Sequence, residues 1–284
     1  MSSYRFCRTD DIQLLVDALN RCWAPYVPDE PPITAAVFKR SIRDLQVWCS
    51  SCMVAFSGSE PIGVLIGAKR PSGTLIHKIA VHPDHRRQGH GRHLLTSLSS
   101  KLAILGPPRM VAEIPESFAP ACELFGASGY VQEALLTDYV LESDGTDVPT
   151  LEGFFTIPVT VDDLAANGLL GEADRAVCWE RSVETLTARK GDIAGLAVAS
   201  DERIEACILY VERGAGAEIV SLHSFIEDGG ARLKLLLARI RAGGVRMFRF
   251  PKVNPAEMSE TLLETLGFRP AADHRLYVAK ARAE

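Results

Sequence analysis

The sequence lacks the long apolar runs of a membrane protein. No stretch reaches the ~18 apolar residues that a membrane span needs, and Asp10, Asp11 and Arg21 interrupt the first helix-like segment. The amino terminus, from Met1 to Arg5, has no apolar core of the kind found in secretory signal peptides. We therefore expect a cytoplasmic protein with no membrane partner.

Positive charge is also scarce. The 284 residues contain 31 lysines and arginines against 36 aspartates and glutamates, which gives a net charge of -5. Because proteins that bind nucleic acid are usually basic, we predict no nucleic acid partner. The hydrophobic share of 47% is that of a globular protein, and this length predicts about two domains.

Paired cysteines of a metal or disulfide framework are missing. The seven cysteines are scattered through apolar segments, and their odd number favours reduced thiols. Cys49 and Cys52 form one CxxC motif, but no second pair completes a zinc site. This motif runs into a strand-like segment at 53–56, so a thioredoxin-like role is the weaker alternative to structural thiols.

Apolar periodicity predicts an alternation of strands and helices. Strands are expected at residues 4–8, 53–56, 62–67, 74–81, 109–113, 130–134 and 137–141, with helices that begin near residues 12, 34, 89 and 119. A polar segment at 143–149 predicts a linker. Several patterns recur after it at near-constant offsets, which indicates two copies of one fold; chance similarity of short apolar words is the alternative.

A strand–loop–helix segment at residues 76–95 carries the chemistry. Its loop reads Arg-Arg-Gln-Gly-His-Gly from Arg86 to Gly91. Glycine at 89 and 91 lets backbone N–H groups approach a ligand, and the start of a helix favours an anion. Arg86, Arg87 and Arg92 add donors suited to phosphate oxygens. The segment therefore predicts a pyrophosphate site, although it is neither a Walker motif nor a GxGxxG motif.

These residues resemble the GNAT superfamily of N-acetyltransferases. The family signature, Gln/Arg-x-x-Gly-x-Gly/Ala at the start of a helix, is matched by Arg86, Gly89 and Gly91, and Gly129-Tyr130 occupies the family's Gly-Phe position. The resemblance covers residues 4–141. It implies an α/β (α+β) fold of two tandem domains, each a twisted mixed sheet flanked by helices. Residues 1–142 would be the acetyltransferase domain and residues 150–284 a degenerate copy.

The resemblance implies acetyl-CoA as co-substrate and no metal. Its pantetheine arm would pair with a strand edge where the fourth and fifth strands splay apart, and a backbone N–H near Ile79 would stabilise the oxyanion. Residues 87 to 92 would hold the pyrophosphate. The predicted cofactor-binding residues are Ile79, Ala80, Val81, Arg86, Arg87, Gln88, Gly89, His90, Gly91 and Arg92.

The implied reaction is direct attack of a primary amine, carried by an unidentified small molecule or peptide, on the thioester. At pH 7, freeing the lone pair of an alkylammonium costs about 4.6 kcal/mol, so a base is useful. His77 resembles the histidine that removes the proton in the arylalkylamine N-acetyltransferase branch, and Glu113 could act through water. A structural strand histidine and a solvated carboxylate are the alternatives.

Two positions depart from the family pattern. Phe125 stands where many members have a tyrosine that protonates the leaving thiolate, and Phe118 stands near the position of a frequent asparagine. Either the thiolate leaves unassisted, or Tyr130 or Tyr139 serves as the donor. A non-catalytic acyl-CoA-binding module, or an interaction protein on the same fold, is therefore kept as the alternative function.

The remaining histidines near the loop are predicted to bind no metal, and the second copy is predicted to bind no cofactor. His82, His85, His90 and His93 do not have the HExxH spacing, so we expect solvated side chains and no metal site. In the second copy Glu227 and Asp228 replace the donors of the loop, and Leu263 replaces the tyrosine. This half is predicted to bind no cofactor, to pack against the first half as an internal pseudo-dimer and to shape the acceptor cleft. The protein would be a monomer or a homodimer.

Acceptor specificity is assigned to two segments and to the interface between the two domains. The segments are residues 23–32, after the first helix, and residues 113–118, at the end of the fifth strand. Trp23, Tyr26, Asp29 and Glu30 could frame a cationic amine, with ordinary surface or core duty as the alternative.

Overall fold

The computed structural model describes residues 2–142, 155–170 and 177–282. Its contacts divide the chain into two compact units. Unit 1 comprises Met1–Ala134 and Arg275–Glu284, and unit 2 comprises Leu135–His274. The linker predicted at 143–149 lies outside the described residues.

The secondary structure follows the predicted alternation. Helices and strands up to the linker are β1 (Ser2–Phe6), α1 (Ile12–Cys22), α2 (Ala35–Leu45), β2 (Met53–Ser57), β3 (Glu60–Arg70), β4 (Gly73–Val81), α3 (His90–Leu105), β5 (Arg109–Pro115), α4 (Ala119–Ala127) and β6 (Val131–Glu142). Those after it are β7 (Phe155–Pro158), α5 (Val161–Ala166), α6 (Val183–Ala188), β8 (Ala194–Ala199), β9 (Ile204–Arg213), β10 (Gly216–Ser224), α7 (Ala231–Ala242), β11 (Met247–Val253), α8 (Glu260–Thr265) and β12 (Arg269–Lys280).

Unit 1 is built on a mixed sheet with helices on its faces. Helices α3 and α4 bury one apolar cluster, which contains Leu94, Leu98 and Phe125, against β4 and β5. The amphipathic helix α1 packs on β3 with residues outside that cluster, so it covers the other face. Helix α2 begins beside residue 34, as predicted, and the Thr34 hydroxyl caps it by accepting a hydrogen bond from the Val37 amide.

Strand β4 contains the irregularity that positions the site. Its antiparallel ladder with β3 skips His77, so a β-bulge lies at this residue. Its parallel ladder with β5 joins Thr74 to Met110 and Leu75 to Val111, and no later pair is found among the described residues. Because a bulge bends its strand, β4 leaves β5 beyond Leu75. The second half of β4 therefore has an open edge.

Two strands contribute to both units. The two strands predicted at 130–134 and 137–141 are one continuous strand, β6, which begins in unit 1 and ends in unit 2. Strand β12 begins in unit 2 and ends in unit 1, beside β5. The ring of Tyr277 thereby joins the core of unit 1. The assignment of 1–142 and 150–284 as functional domains stays a prediction.

Unit 2 repeats the order of elements seen in unit 1. In each unit an antiparallel hairpin leads to a bulged strand, a helix, a parallel strand and a shorter helix, here β8 to α8. The bulge of β10 lies at Val220, at the place of His77. Helix α7 begins after Gly230, with φ of 83°, as α3 begins after Gly89, with φ of 87°. None of the described helices is long and apolar enough to cross a membrane.

Candidate active site

The open edge of β4 presents main-chain groups of Ile79 and Val81. The His82 amide bonds to the Ile62 carbonyl of β3, and hydrogen-bonded pairs alternate along an antiparallel ladder. Ala80 therefore uses its backbone groups on β3, whereas those of Ile79 and Val81 point to the open edge. The assignment of Ile79, Ala80 and Val81 to pantetheine stays a prediction, which the orientation of Ile79 and Val81 favours and that of Ala80 does not.

A tyrosine ties the end of this edge to the loop. The Tyr26 hydroxyl donates to the Val81 carbonyl at 2.6 Å and accepts from Arg86 Nε at 2.6 Å. The Arg86 guanidinium also lies over the Tyr26 ring, 4.3 Å from its centroid. Tyr26 is therefore committed to holding the loop, so it does not frame an acceptor cation.

The loop before α3 carries a run of unused backbone donors. The amides of residues 87–92 have no acceptor in the part of the chain that the structure describes. Arg87 and Gly89 both have positive φ, 57° and 87°, a conformation that turns successive N–H groups into a concave donor site. Arg87 is not a glycine, so its backbone stores strain on the order of 1 kcal/mol, as at many ligand-binding sites.

The two glycines of the motif serve different ends. A Cβ at Gly89 would meet no atom within 4 Å, so glycine is needed here for its positive φ. A Cβ at Gly91 would lie 3.0 Å from Leu124 Cδ2, so Gly91 allows α4 to approach α3. The expectation that both glycines clear space for a ligand therefore fits Gly89 better than Gly91.

The loop arginines lie at the surface with weak internal partners. Arg87 and Glu123 are 3.4 Å apart and their side chains are 86% and 65% exposed. Arg92 donates to the Ala127 carbonyl at 3.2 Å. Surface pairs of this kind contribute little, so both cations can turn to a polyanion at small cost.

The four histidines near the loop do not share one environment. His90 is 5% exposed, and its Nδ1 lies 2.6 Å from the Tyr4 hydroxyl, so the expectation of a solvated side chain is wrong for this residue. Burial, followed by the neighbouring His85 and His93, lowers the pKa of His90. Because the His90 side chain is buried, His90 can contact a phosphate only through its backbone amide. No group of metal-ligating side chains forms among the described residues.

The two predicted bases occupy matching positions. His77 and Glu113 each lie two residues beyond the last pair of the β4–β5 ladder, His77 at the bulge and Glu113 on the facing strand. Both side chains are partly buried. They therefore flank the place where the two strands separate.

The missing phenol is not replaced by the two tyrosines that the sequence offers. Phe125 is fully buried, and the Tyr130 hydroxyl points to Met110 Sδ at 3.7 Å. Burial raises the pKa of Tyr130, which makes it a poor proton donor. Tyr139 lies in the core of unit 2. Tyr277 of β12, which no local pattern pointed to, stacks on Phe125 at a centroid distance of 5.9 Å.

In unit 2 the equivalent helix start is already occupied by a side chain. The Asp228 carboxylate accepts from the amides of Gly230 and Arg232, at 2.9 and 3.0 Å, and from Arg232 Nη1 at 2.8 Å. Although burial opposes it, these hydrogen bonds lower the pKa of Asp228. Near the ends of β10 and β11, the buried Arg181 side chain bonds to both carboxylate oxygens of Glu257 and to the Lys252 carbonyl.

Comparison with known proteins bears on both the motif and the whole fold. Residues 12–130 match the model of the acetyltransferase (GNAT) family. The chain is similar to a tandem GNAT protein from the clavulanic acid biosynthesis pathway, with 17% identity, 100% of each chain covered and a TM-score of 0.71. A GCN5-related N-acetyltransferase from Sphaerobacter thermophilus has 15% identity over 99% of this chain and 96% of its own, with a TM-score of 0.67.

At such identities the solved structures show the fold alone, and no curated protein matches the chain. The family resemblance predicted from Arg86, Gly89 and Gly91 is confirmed by the family model. Residues 12–130 therefore belong to a GNAT acetyltransferase domain, within a chain that has the fold of a tandem GNAT protein along its whole length.

Proposed function

We propose that the chain transfers an acetyl group from acetyl-CoA to a primary amine. The observation that carries this proposal is the continuity between the open edge of β4 and the six unused amides of residues 87–92. A pantetheine chain along the edge would leave its diphosphate at those amides, beside Arg87 and Arg92. The helix dipole of α3 adds to this attraction.

Transfer of the acetyl group requires the protein to position the two substrates and to supply one base. A base takes a proton from the ammonium, and the free lone pair attacks the thioester carbon. The Ile79 N–H would stabilise the oxyanion, and the C–S bond then breaks. The thiolate leaves and is protonated, from solvent or from a nearby donor; the net products are an amide, CoA and one proton. We assign the base to His77, with Glu113 as the second candidate.

Charge reversal in the loop tests the cofactor site. Arg87→Glu is a suitable variant because this side chain is 86% exposed, so its replacement should not disturb folding. We expect acetyl-CoA affinity, measured by calorimetry, to fall by about ten-fold or more, since an attraction becomes a repulsion. Arg213→Glu, an exposed position in unit 2, is the matched control. Equal affinities in the two variants would contradict the proposed site.

Thiol release over a panel of amines tests the catalytic residues. If His77 is the base, His77→Ala lowers kcat by about 10²- to 10⁴-fold and leaves acetyl-CoA affinity unchanged. If Glu113 is the base instead, Glu113→Gln shows this loss of kcat. The control is His93→Ala, which changes an exposed histidine of α3. If both His77→Ala and Glu113→Gln turn over at the wild-type rate, neither residue is the base.

The environment of Phe125 favours a second candidate, a non-catalytic acyl-CoA-binding module. The phenol that would protonate the thiolate is absent from α4, and the Tyr130 hydroxyl is held in the core. Such a module would bind acetyl-CoA in calorimetry, yet acetylate no amine of a broad panel. Detection of one acetylated product by mass spectrometry rules this candidate out. Absence of acetyl-CoA binding would instead favour an interaction protein.

We propose further that unit 2 binds no acyl-CoA. The Asp228 carboxylate already accepts the hydrogen bonds that a phosphate would need, and it would repel a second anion. Calorimetry should therefore give one acetyl-CoA per chain. A stoichiometry of two would contradict this assignment.

A further inference from the structure

The His90 side chain lies buried beside the loop that we assign to the diphosphate. His90 is the first residue of α3 and is 5% exposed. Because the Cα–Cβ bonds of a helix tilt toward its N-terminus, the imidazole points back toward the loop. The ring of His85, which ends the short turn before the loop, has its centroid 6.5 Å from that of His90. The His90 imidazole therefore lies close to the run of unused amides that begins α3.

Several features of the free protein favour the neutral form of this imidazole. Burial, followed by the neighbouring His85 and His93, lowers the pKa of His90. The start of α3 is the positive end of a helix dipole, and Arg87 and Arg92 bring further positive charge to the loop. An imidazolium in this place would therefore be surrounded by charges of its own sign.

The carboxylates around the loop do not offset this positive charge at His90. Each faces a different side chain, and the pairs are Asp11 with Arg5, Asp84 with His82, and Glu123 with Arg87. Arg86, the remaining loop arginine, is bonded to the Tyr26 hydroxyl. In the part of the chain that the structure describes, His90 has no carboxylate partner. A counter-ion for its charged form has to come from a ligand.

The Tyr4 hydroxyl of β1 suits both protonation states of His90. It lies 2.6 Å from His90 Nδ1, and burial raises the pKa of Tyr4, so the hydroxyl keeps its proton. It donates to Nδ1 of the neutral ring, whose hydrogen is then on Nε2, and it accepts from Nδ1–H of the charged ring. Protonation therefore keeps this hydrogen bond. What the charged ring needs in addition is a negative charge nearby, and a diphosphate at the amides of residues 87–92 would supply it.

We propose that binding of the coenzyme A diphosphate is coupled to protonation of His90, so that the protein takes up a proton on binding and holds acetyl-CoA more tightly as the pH falls from about 8 to about 6. The inference rests on the proposed cofactor site and adds a residue to it. His90 would act through the charge of its ring, which does not touch the ligand. Because the anion favours the charged imidazole, the charged imidazole favours the anion by the same factor.

Dephospho-CoA, which lacks the 3′-phosphate, is the probe for this coupling. A phosphate monoester changes its own charge near pH 6, at about the pH of interest, whereas the diphosphate of dephospho-CoA does not. Isothermal titration calorimetry in two buffers of different ionisation enthalpy gives the number of protons taken up per ligand bound. Near pH 6.5 we expect the wild type to take up a fraction of one proton. We expect affinity to be about 3- to 10-fold higher at pH 6 than at pH 8.

Three variants locate the proton. His90→Asn keeps a polar side chain and removes the titrating group, so proton uptake should vanish and the affinity ratio between pH 6 and pH 8 should fall toward one. Tyr4→Phe should reduce the uptake, because a hydrogen bond to a charged group is stronger than one to a neutral group. His93→Asn is the matched control: it changes an exposed histidine of the same helix, stacked on the Tyr4 ring, and should keep the wild-type uptake.

NMR of the wild type makes the test independent of the variants. Circular dichroism melting checks that each variant is folded. If His90→Asn is unstable, the Cε1–H resonance of His90, assigned by its contact with the Tyr4 ring, is followed against pH. The pKa of His90 should be higher with dephospho-CoA than without it. An equal pKa in the two titrations overturns the inference.

The outcomes separate this inference from the proposed function. Proton uptake by the wild type that is lost in His90→Asn supports the inference. Equal affinity at pH 6 and pH 8 without proton uptake overturns it and leaves the cofactor site in place. Uptake that persists in His90→Asn means that another group is protonated, which also overturns it. Absence of dephospho-CoA and acetyl-CoA binding at every pH overturns the proposed cofactor site and this inference together.

Discussion

Replacement of Tyr277 by alanine is expected to destabilise unit 1 selectively. Tyr277 lies in the last part of β12, 271 positions beyond the end of β1, yet it is 6% exposed in the core of unit 1. Its ring stacks on Phe125 with an interplanar angle of 21°. Farther along, the Ala281 amide bonds to the Pro108 carbonyl at 2.6 Å. The alanine variant leaves a cavity beside Phe125.

The size of the effect follows from this burial. Removal of a buried aromatic ring costs about 3–5 kcal/mol in the free energy of unfolding. With a urea dependence of about 2 kcal/mol per molar, the urea midpoint of unit 1 should fall by about 2 M. Tyr277→Phe keeps the stacked ring and should cost about 1 kcal/mol or less. Lys280→Ala, an exposed position of the same strand, should change stability by less than about 0.5 kcal/mol.

Tryptophan fluorescence can read the two units separately. Trp23 and Trp48 lie in unit 1, and Trp179 lies in unit 2. A Trp179→Phe background therefore reports urea unfolding of unit 1. A Trp23→Phe/Trp48→Phe background reports unit 2, whose transition should not move, because Tyr277 is not part of it.

A small shift would refute the reasoning. If the unit 1 midpoint of Tyr277→Ala lies within about 0.3 M of the wild type, the end of β12 does not complete that core. The same conclusion follows if Tyr277→Ala and Lys280→Ala shift the midpoint equally. A loss of stability seen only in the Trp179 fluorescence would mean that Tyr277 stabilises unit 2 and not unit 1.

Three further predictions concern other parts of the chain. Asp228→Asn should cost about 1–2 kcal/mol at pH 7, because the carboxylate caps α7. The pKa of Asp228 is lowered in the folded state, so the carboxylate stabilises the fold at neutral pH and this stabilisation is lost as the pH falls below about 4. The free energies of unfolding of the wild type and Asp228→Asn, measured in urea, should therefore converge toward pH 2. Arg181→Met should cost about 3–5 kcal/mol in the free energy of unfolding, because it leaves the buried Glu257 carboxylate without its partner. The double variant Arg181→Met/Glu257→Leu should recover most of this loss in thermal unfolding. A double variant less stable than the single one would contradict the prediction. Tyr26→Phe removes the hydroxyl that joins the loop to β4, and calorimetry should show acetyl-CoA affinity reduced by about 3- to 10-fold; an unchanged affinity would mean that the loop holds its shape unaided.

Elements that depend on near neighbours in sequence are predicted well. Helices α2 and α4 begin at residues 35 and 119, beside the predicted starts at 34 and 119, and the Thr34 hydroxyl caps α2. Gly129, just after α4, has a positive φ. The loop motif from Arg86 to Gly91 predicts the family because its amides, glycines and arginines act within one turn of chain. Helix caps, turns and phosphate loops need only local hydrogen bonds and local backbone freedom, and both are written in consecutive residues.

The tertiary structure decides the features that join distant residues. Tyr4 of β1 buries His90, Lys78 of β4 fills the face of Trp23, and Tyr277 reaches Phe125 across 152 positions of sequence. Each contact depends on which strands become neighbours in the sheet. An apolar strand pattern states which face is buried but not which strand lies beside it, because any strand edge offers the same N–H and C=O groups. The position and the chemistry of the loop were therefore predictable from the sequence alone. That β6 and β12 each contribute to both units was not.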